Sequence, residues 1–379
     1  MRTEALSASS ELRELVVCSL EVWDDVWRRN QFFVDELLRR HPRLRVLFVE
    51  PPADPLYDAW SRRMPSLPRL RRVSYGGRLW RLRPLKLLPR RCGAFVDTLI
   101  NQQVLIGSRA LGFAEPILWI NDVSYAPLIS RTGWRSLYDV TDDWLLAPSS
   151  PHELARLRRL DRLALHDATE VVVCSPALAA SRGAVRSVSL VPNGVDVAHF
   201  RSPQARPDDL PHPPVAVYVG SLHDARIDVD LVCHIADSLP DVTFVFIGPD
   251  ALSRSSRERL RQRSNIRLLG PRPYARVPAY LQHCDAVVVP HRVSPFTDSL
   301  DPIKAYECLA VQTPTVATPV AGFRDLGAAV TIAPPTLFAE AVRSVLKGGR
   351  PARDGIRVPT WEERAQAFEN VLRRASGRA

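Results

Sequence analysis

The chain has 379 residues, of which 46% are hydrophobic, and this length is enough for two or three domains with full-sized cores. Charged residues make up 24% and aromatic residues 7%, so the composition excludes a largely disordered chain, a collagen-like repeat and a coiled coil. The formal net charge is +10, and only three of the 51 basic residues are Lys, namely Lys86, Lys304 and Lys347.

Short apolar runs alternate with stretches of helical periodicity along the whole chain. Strands are predicted at residues 15–20, 45–49, 94–100, 116–120, 136–140, 170–174, 188–191, 215–219, 243–247, 266–269, 286–289, 315–317 and 330–332. Two stretches, 24–40 and 361–374, have apolar residues at clear helical spacing and are predicted to be helices. Strands that are apolar on both faces and are each followed by a helix are typical of parallel, doubly wound α/β sheets.

The positive charge is concentrated in the segment 62–91. It holds ten Arg, the first being Arg62 and the last Arg91, together with Lys86, and it has no Asp or Glu. The rest of the chain is therefore close to neutral, which argues against nucleic acid as a partner. Two interpretations remain open: contact with a membrane leaflet or a lipid phosphate, or a pair of edge strands with Arg on the solvent face and Leu, Trp and Val facing inward.

A Pro-rich segment divides the chain into two series of strands and helices. Residues 201–214 contain five Pro in fourteen residues and are predicted to be a linker. They separate a first domain, 1–200, from a second domain, 215–358, and the helix within 359–379 is predicted to pack back on the first domain. We expect two Rossmann-like domains that face each other across a cleft, with ligands at the carboxyl ends of the strands.

The six cysteines have no spacing typical of a metal site or a disulfide framework. The first residues lack the basic and apolar regions of a signal peptide, and no apolar run approaches the length needed to span a bilayer. We expect a cytoplasmic protein that is at most peripheral on the inner face of the cell membrane.

Five stretches occur in an order and at spacings that carry a family resemblance. They are VPNGVDVAHF (191–200), VYVGSLHDARIDVDLV (217–232), FVFIGPD (244–250), NIRLLGPRPYARVPAYLQHCDAVVVPH (265–291) and SLDPIKAYECLAVQTPTVATPVAG (299–322). Together they resemble the donor domain of a GT-B glycosyltransferase and are most similar to glycosyltransferase family 4 and related bacterial envelope-polysaccharide enzymes. The resemblance extends more weakly into the first half, through WDDVWRRNQ, LFVEPP and YDVTDDW.

The resemblance implies a metal-independent hexosyltransferase without a cofactor. The second domain would bind a nucleotide-sugar donor, with a UDP-sugar as the first choice, and the first domain would bind a glycan, a lipid-linked or a small-molecule acceptor. Family 4 implies retention of anomeric configuration, whereas a carboxylate in YDVTDDW would also suit an inverting enzyme.

The resemblance assigns Glu307 to the second acid of an E-x7-E motif, which accepts hydrogen bonds from the ribose hydroxyls. The alternative is an ordinary Glu in the first turn of a helix. Ser299 stands where the motif has its first acid, and this departure leaves the donor-sugar contact in doubt. Asp298 and Asp301 flank Ser299 and are candidate sugar or phosphate contacts. Lys304 could neutralise a phosphate or be a solvated surface residue.

A second group of candidates follows the strands at 215–219 and 266–269. Gly220 lets the backbone approach a ligand without a Cβ in the way. Arg226 matches the family's basic residue that clamps the diphosphate, because a guanidinium engages two phosphate oxygens at once. His223 is a weaker candidate for the same phosphate. Arg272 lies in the turn PRPY, which matches the segment where the family's backbone binds the nucleobase.

In the first domain, Asp142 and Asp143 follow a predicted strand and are candidates for the general base or for orienting the acceptor. The alternative is a helix N-cap with an acid in the first turn. Asp24 and Asp25 are a second, weaker choice. The pair Asn193–Gly194 is expected to form a turn near the domain junction.

Two other classes of function stay open. A sugar-nucleotide epimerase or a phosphorylase could share this architecture, although a phosphorylase needs a cofactor lysine and the chain has few Lys. A degenerate, non-catalytic protein that binds a nucleotide or a partner is favoured by Ser299, whereas Gly220, Arg226 and Glu307 argue against it.

Overall fold

The computed structural model describes residues 12–60, 64, 67–73, 75–348 and 357–377. Backbone contacts divide the chain into two compact units. The N-terminal unit comprises Met1–Leu145, Ser149–Pro192 and Glu362–Ala379, and the C-terminal unit comprises Leu146–Pro148 and Asn193–Trp361.

The strands are numbered in chain order. They are β1 (Glu14–Cys18), β2 (Arg45–Val49), β3 (Arg69–Arg72), β4 (Leu79–Arg83), β5 (Ile117–Ile120), β6 (Ser136–Val140), β7 (Glu170–Val173), β8 (Ser189–Leu190), β9 (Val215–Val219), β10 (Leu222–His223), β11 (Thr243–Ile247), β12 (Asp250–Ala251), β13 (Ile266–Gly270), β14 (Ala286–Val289), β15 (Thr315–Ala317) and β16 (Thr331–Ile332).

The helices that connect these strands are also numbered in chain order. They are α1 (Arg29–Arg40), α2 (Pro55–Trp60), α3 (Phe95–Ala110), α4 (Leu128–Thr132), α5 (Pro151–Asp167), α6 (Pro176–Gly183), α7 (Val197–Arg201), α8 (Val229–Ser238), α9 (Arg254–Arg261), α10 (Val277–His283), α11 (Pro295–Asp298), α12 (Ile303–Val311), α13 (Phe338–Gly348) and α14 (Trp361–Ala375). Short 3₁₀ turns lie at Arg90–Cys92, Val123–Tyr125, Tyr274–Arg276, Arg324–Ala329 and Pro335–Leu337.

The N-terminal unit is built on an eight-stranded sheet with the order β3-β4-β2-β1-β5-β6-β7-β8. Its strands are parallel except that β3 runs antiparallel to β4 at the edge. The four residues of β5 are all buried, as expected for a central strand covered by helices on both faces. The strand order reverses between β1 and β5, which lie side by side.

The last helix completes the core of the N-terminal unit. Phe368 of α14 stacks on Phe33 of α1 with ring centroids 4.5 Å apart, and it lies 4.6 Å from the ring of Trp119 in β5. All three rings are buried. The sequence placed the segment 359–379 on the first domain, and the structure has Glu362–Ala379 within the N-terminal unit.

The C-terminal unit has a six-stranded parallel sheet with the order β13-β11-β9-β14-β15-β16. Counted from β9, and leaving out the short pair β10-β12, this order is 3-2-1-4-5-6, the arrangement of a Rossmann fold. Its core includes the apolar residues of β9, β11 and β14 on both faces of the sheet. The strand order reverses between β9 and β14.

The segment 201–214 is not a free linker, which corrects the predicted boundary at residue 200. Phe200 and Leu210 are buried in the core of the C-terminal unit. Gln282 accepts a hydrogen bond from the backbone of Gln204, and Arg206 donates to the carbonyl of His283. Because its apolar and polar groups are engaged by α10, the Pro-rich segment belongs to the C-terminal unit.

Two of the predicted elements differ from the structure. The run 94–100 is the start of the helix α3, in which Val96, Ile100 and Val104 lie four positions apart on one buried side. The helix predicted at 24–40 begins only at Arg29. The Asp24 carboxylate accepts a hydrogen bond from the backbone of Val26 and so closes a local turn before the helix.

The basic segment contains two paired strands, but only β3, whose residues are all exposed, lies at the edge of the sheet, since β4 also pairs with β2. Leu79 and Leu82 of β4 face inward and are buried. Arg81 and Arg69 pair with the buried carboxylate of Glu50. Part of the basic charge is thus neutralised inside the unit. Two further arginines of the segment, 62 and 63, lie outside the described residues.

None of the helices in the described part of the chain is long and apolar enough to cross a bilayer. Within the same residues, no three His, Cys, Asp or Glu side chains are grouped as metal ligands would be.

Truncation of Phe368 to Ala should destabilise the N-terminal unit. The loss of a buried aromatic ring costs about 3 to 5 kcal/mol because a cavity remains between the neighbouring rings. Chemical denaturation of the variant and of an Asn370→Ala control, which changes an exposed residue of the same helix, measures the effect. Equal free energies of unfolding for the two variants would contradict this account of the core.

Candidate functional site

The polar residues of interest follow the strands at which the order of each sheet reverses. In the C-terminal unit, Gly220 follows β9 and His291 lies just beyond β14. In the N-terminal unit, Asn121 and Asp122 follow β5. Ligands of doubly wound sheets bind at the carboxyl ends of the strands at this reversal point. Each unit therefore has one edge that is suited to a ligand.

Two glycines allow close backbone approach at this edge of the C-terminal unit. Gly220 has φ 148° and Gly248 has φ 144°, backbone angles that residues with a side chain rarely adopt. A Cβ on Gly248 would lie 2.1 Å from the carbonyl oxygen of Gly220, and a Cβ on Gly220 would lie 1.9 Å from Cε of Lys304. The bare backbone of Gly220 is thus covered by the Lys304 side chain, which rules out a solvated Lys on the open surface.

Lys304 and Arg226 both act electrostatically on the buried His291. Burial lowers the pKa of this imidazole well below its usual value, and the charges of Lys304 and Arg226 lower it further. The imidazole Nε2 lies 3.2 Å from the hydroxyl of Tyr218. The guanidinium carbon of Arg226 lies 5.7 Å from the ring centroid of Phe296. The edge therefore combines two cations with a neutral His, a combination that favours an anionic ligand.

Glu307 lies on α12, within electrostatic range of Lys304. The residue is half-buried. Burial of the carboxyl group raises its pKa from 4.5 to about 7, although the positive charge of Lys304 lowers it. Burial also raises the pKa of Tyr274, with a further contribution from the charge of Glu307. His199 stacks on Tyr274 with ring centroids 4.5 Å apart. Glu307 is thus held between a cation and an aromatic pair.

The residues that flank the position of the missing acid make structural contacts. The hydroxyl of Ser299 is buried and donates to the carbonyl of Phe296 at 2.7 Å. Asp298 pairs with Arg324 at 3.3 Å. Asp301 accepts hydrogen bonds from the backbone of Asn193 and from the hydroxyl of Tyr306. The predicted turn at Asn193–Gly194 is not formed, but Asn193 supports this loop through its hydrogen bonds to Asp301.

Arg272 and His223 lie in two other loops of the unit. The guanidinium of Arg272 pairs with Asp209 at 2.6 Å and also donates to the hydroxyl of Tyr280. These contacts attach the Pro-rich segment to the turn before α10. His223 is exposed, and its Nδ1 accepts a hydrogen bond from the backbone of Ala225. Both imidazole and guanidinium thus have local structural partners.

The N-terminal unit contains a cavity of about 280 Å³ at its own reversal point. Its lining combines residues that follow β1, β5 and β6 with residues of α5 and α6. They are Leu20, Arg90, Asn121, Asp122, Val123, Ser124, Tyr138, Val140, Thr141, Asp142, Trp144, Leu145, Ser149, Glu153, Arg156, Leu157, Asp161 and Arg182.

The structure gives the two candidate acids of YDVTDDW, Asp142 and Asp143, different surroundings. Both oxygens of Asp143 accept hydrogen bonds from Arg182, at 2.9 and 3.0 Å, and the pair is buried. Arg182 also lies 3.5 Å from Asp161, whose other partner is the Tyr138 hydroxyl at 2.8 Å. Asp143 is therefore part of a buried ion-pair network, and its role as a candidate base stays a prediction. Asp142 is half-buried and lines the cavity.

The cavity includes residues that the sequence did not suggest. Trp144 is 40% exposed and lines the cavity beside Asp142. Arg156 and Asp161 come from α5, where only their three-dimensional position distinguishes them from other charged residues of a surface helix. Asp24, the weaker candidate, is outside the lining. A carboxylate that follows a strand is visible in sequence, whereas partners from a distant helix are not.

Comparison with known proteins finds a family model that matches most of the C-terminal unit. Residues 213–348 match the family model described as glycosyl transferases group 1. Over 222 residues, the chain is 28% identical to a putative teichuronic acid biosynthesis glycosyltransferase of Bacillus subtilis, an alignment that covers 53% of this chain and 55% of the relative. The chain thus spans about half of the length of this curated relative.

Solved structures resemble the whole chain in fold. An α,α-trehalose-phosphate synthase (UDP-forming) from Burkholderia vietnamiensis matches with a TM-score of 0.58 and 15% identity, covering 97% of this chain and 96% of that one. HepE of Anabaena, solved in complex with UDP and glucose, matches with a TM-score of 0.59 and 16% identity, covering 95% of each chain. The chain therefore has the GT-B fold with two Rossmann-like domains, and residues 213–348 of its C-terminal unit are similar to the glycosyl transferases group 1 family.

Proposed function

We propose that this protein is a glycosyltransferase that transfers a sugar from a nucleotide-sugar donor, with a UDP-sugar as the first choice. The observation that carries the proposal is the grouping of Arg226, Lys304 and Glu307 at the reversal point of a Rossmann sheet. These residues lie within the segment that matches the glycosyl transferases group 1 family. Two solved structures with the same fold, a trehalose-6-phosphate synthase and HepE, hold a UDP-sugar analogue or UDP as ligands of those proteins.

In this proposal the C-terminal unit binds the donor. Arg226 and Lys304 bind the diphosphate, and the positive end of the α12 dipole favours the same negative charge. The same cations stabilise the negative charge that develops on the departing nucleotide. Because protein cations do this, we expect transfer to proceed in the presence of a chelator. Ionised Glu307 accepts hydrogen bonds from the ribose hydroxyls, and neutral His291 contributes no competing charge.

The N-terminal cavity is the proposed acceptor site. Asp142 is the candidate that accepts the proton or the hydrogen bond of the attacking hydroxyl, since Asp143 is held in its pair with Arg182. The partly exposed ring of Trp144 offers an apolar face to a sugar ring. A volume of about 280 Å³ suits one sugar residue or the end of a glycan better than a large globular partner.

The curated relative suggests a class of acceptor. Its name assigns that protein to the biosynthesis of teichuronic acid, which is a cell-envelope polysaccharide. We therefore propose a glycan or a lipid-linked glycan of the envelope as the acceptor. We also propose retention of anomeric configuration, because a trehalose-6-phosphate synthase with this fold performs glycosyl transfer with retention. The anomeric coupling constant in the product's proton NMR spectrum decides between retention and inversion.

A non-catalytic nucleotide-binding protein is the second candidate. It is favoured by Ser299, which replaces a carboxylate and whose hydroxyl is engaged by the carbonyl of Phe296. The two candidates differ in turnover and not in nucleotide binding. Release of UDP from a UDP-sugar that binds therefore distinguishes them.

Nucleotide binding should depend on Glu307. In thermal unfolding with UDP, GDP, dTDP or CMP, we expect UDP to stabilise the protein most, by about 2.7 kcal/mol at a hundred times its dissociation constant. Glu307→Gln should lose most of this stabilisation, because the amide keeps the volume but loses the charge. Glu340→Gln, at an exposed position of α13, is the matched control. A folded wild-type protein that no nucleotide stabilises would refute the donor site.

Donor affinity should rise with pH between about 6 and 8. The carboxyl group of Glu307 has a pKa of about 7, so it is largely protonated at pH 6 and ionised at pH 8, where it accepts the ribose hydrogen bonds.

The folding stability of the unliganded protein depends on the same group, but in the opposite direction with pH. The folded state retains a proton that the unfolded state releases near 4.5, so this group lowers the stability as the pH rises from about 4.5 to 7.

Calorimetric titration with UDP at pH 6 and pH 8 measures this effect. Glu307→Gln serves as the reference, because the terminal phosphate of UDP titrates in the same range in both proteins. Parallel pH dependence in the two proteins would show that Glu307 does not contribute.

The two neighbouring acids should respond differently to removal of their charge. Asp142→Asn is expected to fold normally, bind UDP and lose roughly 10² to 10⁴ in the rate of UDP release with an envelope glycan as acceptor. Asp143→Asn should lose about 3 to 5 kcal/mol of stability, because the buried Arg182 loses the carboxylate that accepts two of its hydrogen bonds and keeps only the longer contact with Asp161. Full activity of Asp142→Asn would exclude this residue as the base.

A further inference from the structure

One face of the N-terminal unit exposes large apolar side chains. On α3, Phe95, Leu99 and Ile106 are 49%, 55% and 57% exposed. At 3.6 residues per turn these three positions lie within about 40° of one another around the helix axis. The helix therefore presents three exposed apolar side chains on one side, with Gln102 between Leu99 and Ile106, in addition to the buried strip that packs on the sheet.

The apolar surface continues beyond the helix. Leu87 and Leu88, both exposed, belong to a loop that α3 holds in place, since Gln103 donates to and accepts from the backbone of Leu85 at 2.8 Å. Leu70 of β3 is paired in register with Leu82, which packs under Gly107 of α3. The docking face is defined here as Leu70, Arg72, Leu87, Leu88, Arg91, Phe95, Leu99, Ile106 and Arg109.

The charges of this face are of one sign. Between Asp58 and Glu115 the only acidic residue is Asp97. It is buried and accepts hydrogen bonds from Arg90 at 2.9 Å and Arg156 at 2.8 Å. Arg72, Arg91 and Arg109 are exposed and form no ion pair with any described residue. The docking face as defined thus combines exposed apolar side chains with exposed arginines and contains no carboxylate.

We propose that this docking face binds an anionic lipid bilayer. The apolar side chains of α3 and its preceding loop would enter the boundary between headgroups and acyl chains, and the arginines would contact lipid phosphates. A second copy of the chain fits less well, because a two-fold contact would place arginines opposite arginines. Single-stranded nucleic acid fits less well, since aliphatic side chains offer no stacking platform.

The docking face lies next to the N-terminal cavity in the chain. Arg90 lines the cavity, and its neighbours Leu88 and Arg91 belong to the docking face. If the proposed function is correct, the bilayer would lie beside the acceptor site, and the acceptor would carry a lipid anchor. This last step rests on the proposed function, whereas bilayer binding does not.

Cosedimentation with vesicles tests the proposal on the whole chain. The wild-type protein should bind vesicles of phosphatidylcholine mixed with phosphatidylglycerol, bind phosphatidylcholine alone far more weakly, and lose affinity with added salt. The double variant Arg91→Gln/Arg109→Gln should lose roughly fivefold in partition per arginine. Leu99→Gln/Ile106→Gln should lose at least tenfold, because the polar side chains no longer favour insertion.

Matched controls lie elsewhere on the unit. Arg159→Gln/Arg162→Gln changes two exposed arginines of α5, and Val185→Gln changes an exposed apolar residue after α6. All variants affect exposed positions, so their thermal midpoints should stay close to that of the wild type. Control variants that lose as much binding as the docking-face variants would overturn the proposal, as would a wild-type protein that ignores anionic vesicles.

Two further measurements separate the proposal from its alternatives. A wild-type dimer that Leu99→Gln/Ile106→Gln converts to a monomer, with vesicle binding unchanged, would assign the face to self-association and overturn bilayer binding. UDP binding by the docking-face variants should equal that of the wild type. Vesicle binding without any nucleotide binding would refute the proposed function and leave the bilayer proposal standing.

Discussion

The carboxyl ends of β9 and β11 approach each other so closely that a Cβ on Gly248 would meet the carbonyl of Gly220, and a Cβ on Gly220 would meet the side chain of Lys304. This steric constraint determines the rest of the C-terminal site. It leaves a bare stretch of backbone over which Lys304 lies, and through Lys304 it brings α12 and Glu307 to the same edge. The raised pKa of Glu307 and the lowered pKa of His291 both follow from this crowding, because burial is the largest cause of each.

In the N-terminal unit, ion pairs hold together the elements at the carboxyl ends of the sheet strands. Arg182 from α6 joins Asp143 after β6 to Asp161 of α5, and the hydroxyl of Tyr138 completes the network. Three separate elements are thereby fixed around one cavity, while Asp142 remains at its lining. Removal of one partner leaves the other buried charge poorly compensated and strongly destabilises the fold. The network therefore gives the cavity a defined shape but makes it sensitive to substitution of any one of these residues.

Sequence patterns predicted most of the strands, because residues that are apolar on both faces have few alternatives to a central parallel strand. They failed at α3, where Val96 and Ile100 fit either a short strand or one side of a helix, and at the Pro-rich segment, where composition does not reveal that Phe200 and Leu210 are buried. The positions of Glu307 and Asp142 after strands were visible in sequence. The partnership of Asp143 with Arg182 was not, since 39 residues separate them.

The position of α14 also has a consequence for synthesis. Phe33 and Trp119 are covered by a ring that the ribosome adds only at residue 368. The C-terminal unit is continuous apart from Leu146–Pro148, so almost all of it emerges before the N-terminal unit can close its core. The first unit to be translated is therefore the last to be completed, and until then it exposes aromatic surface on which chaperones can act.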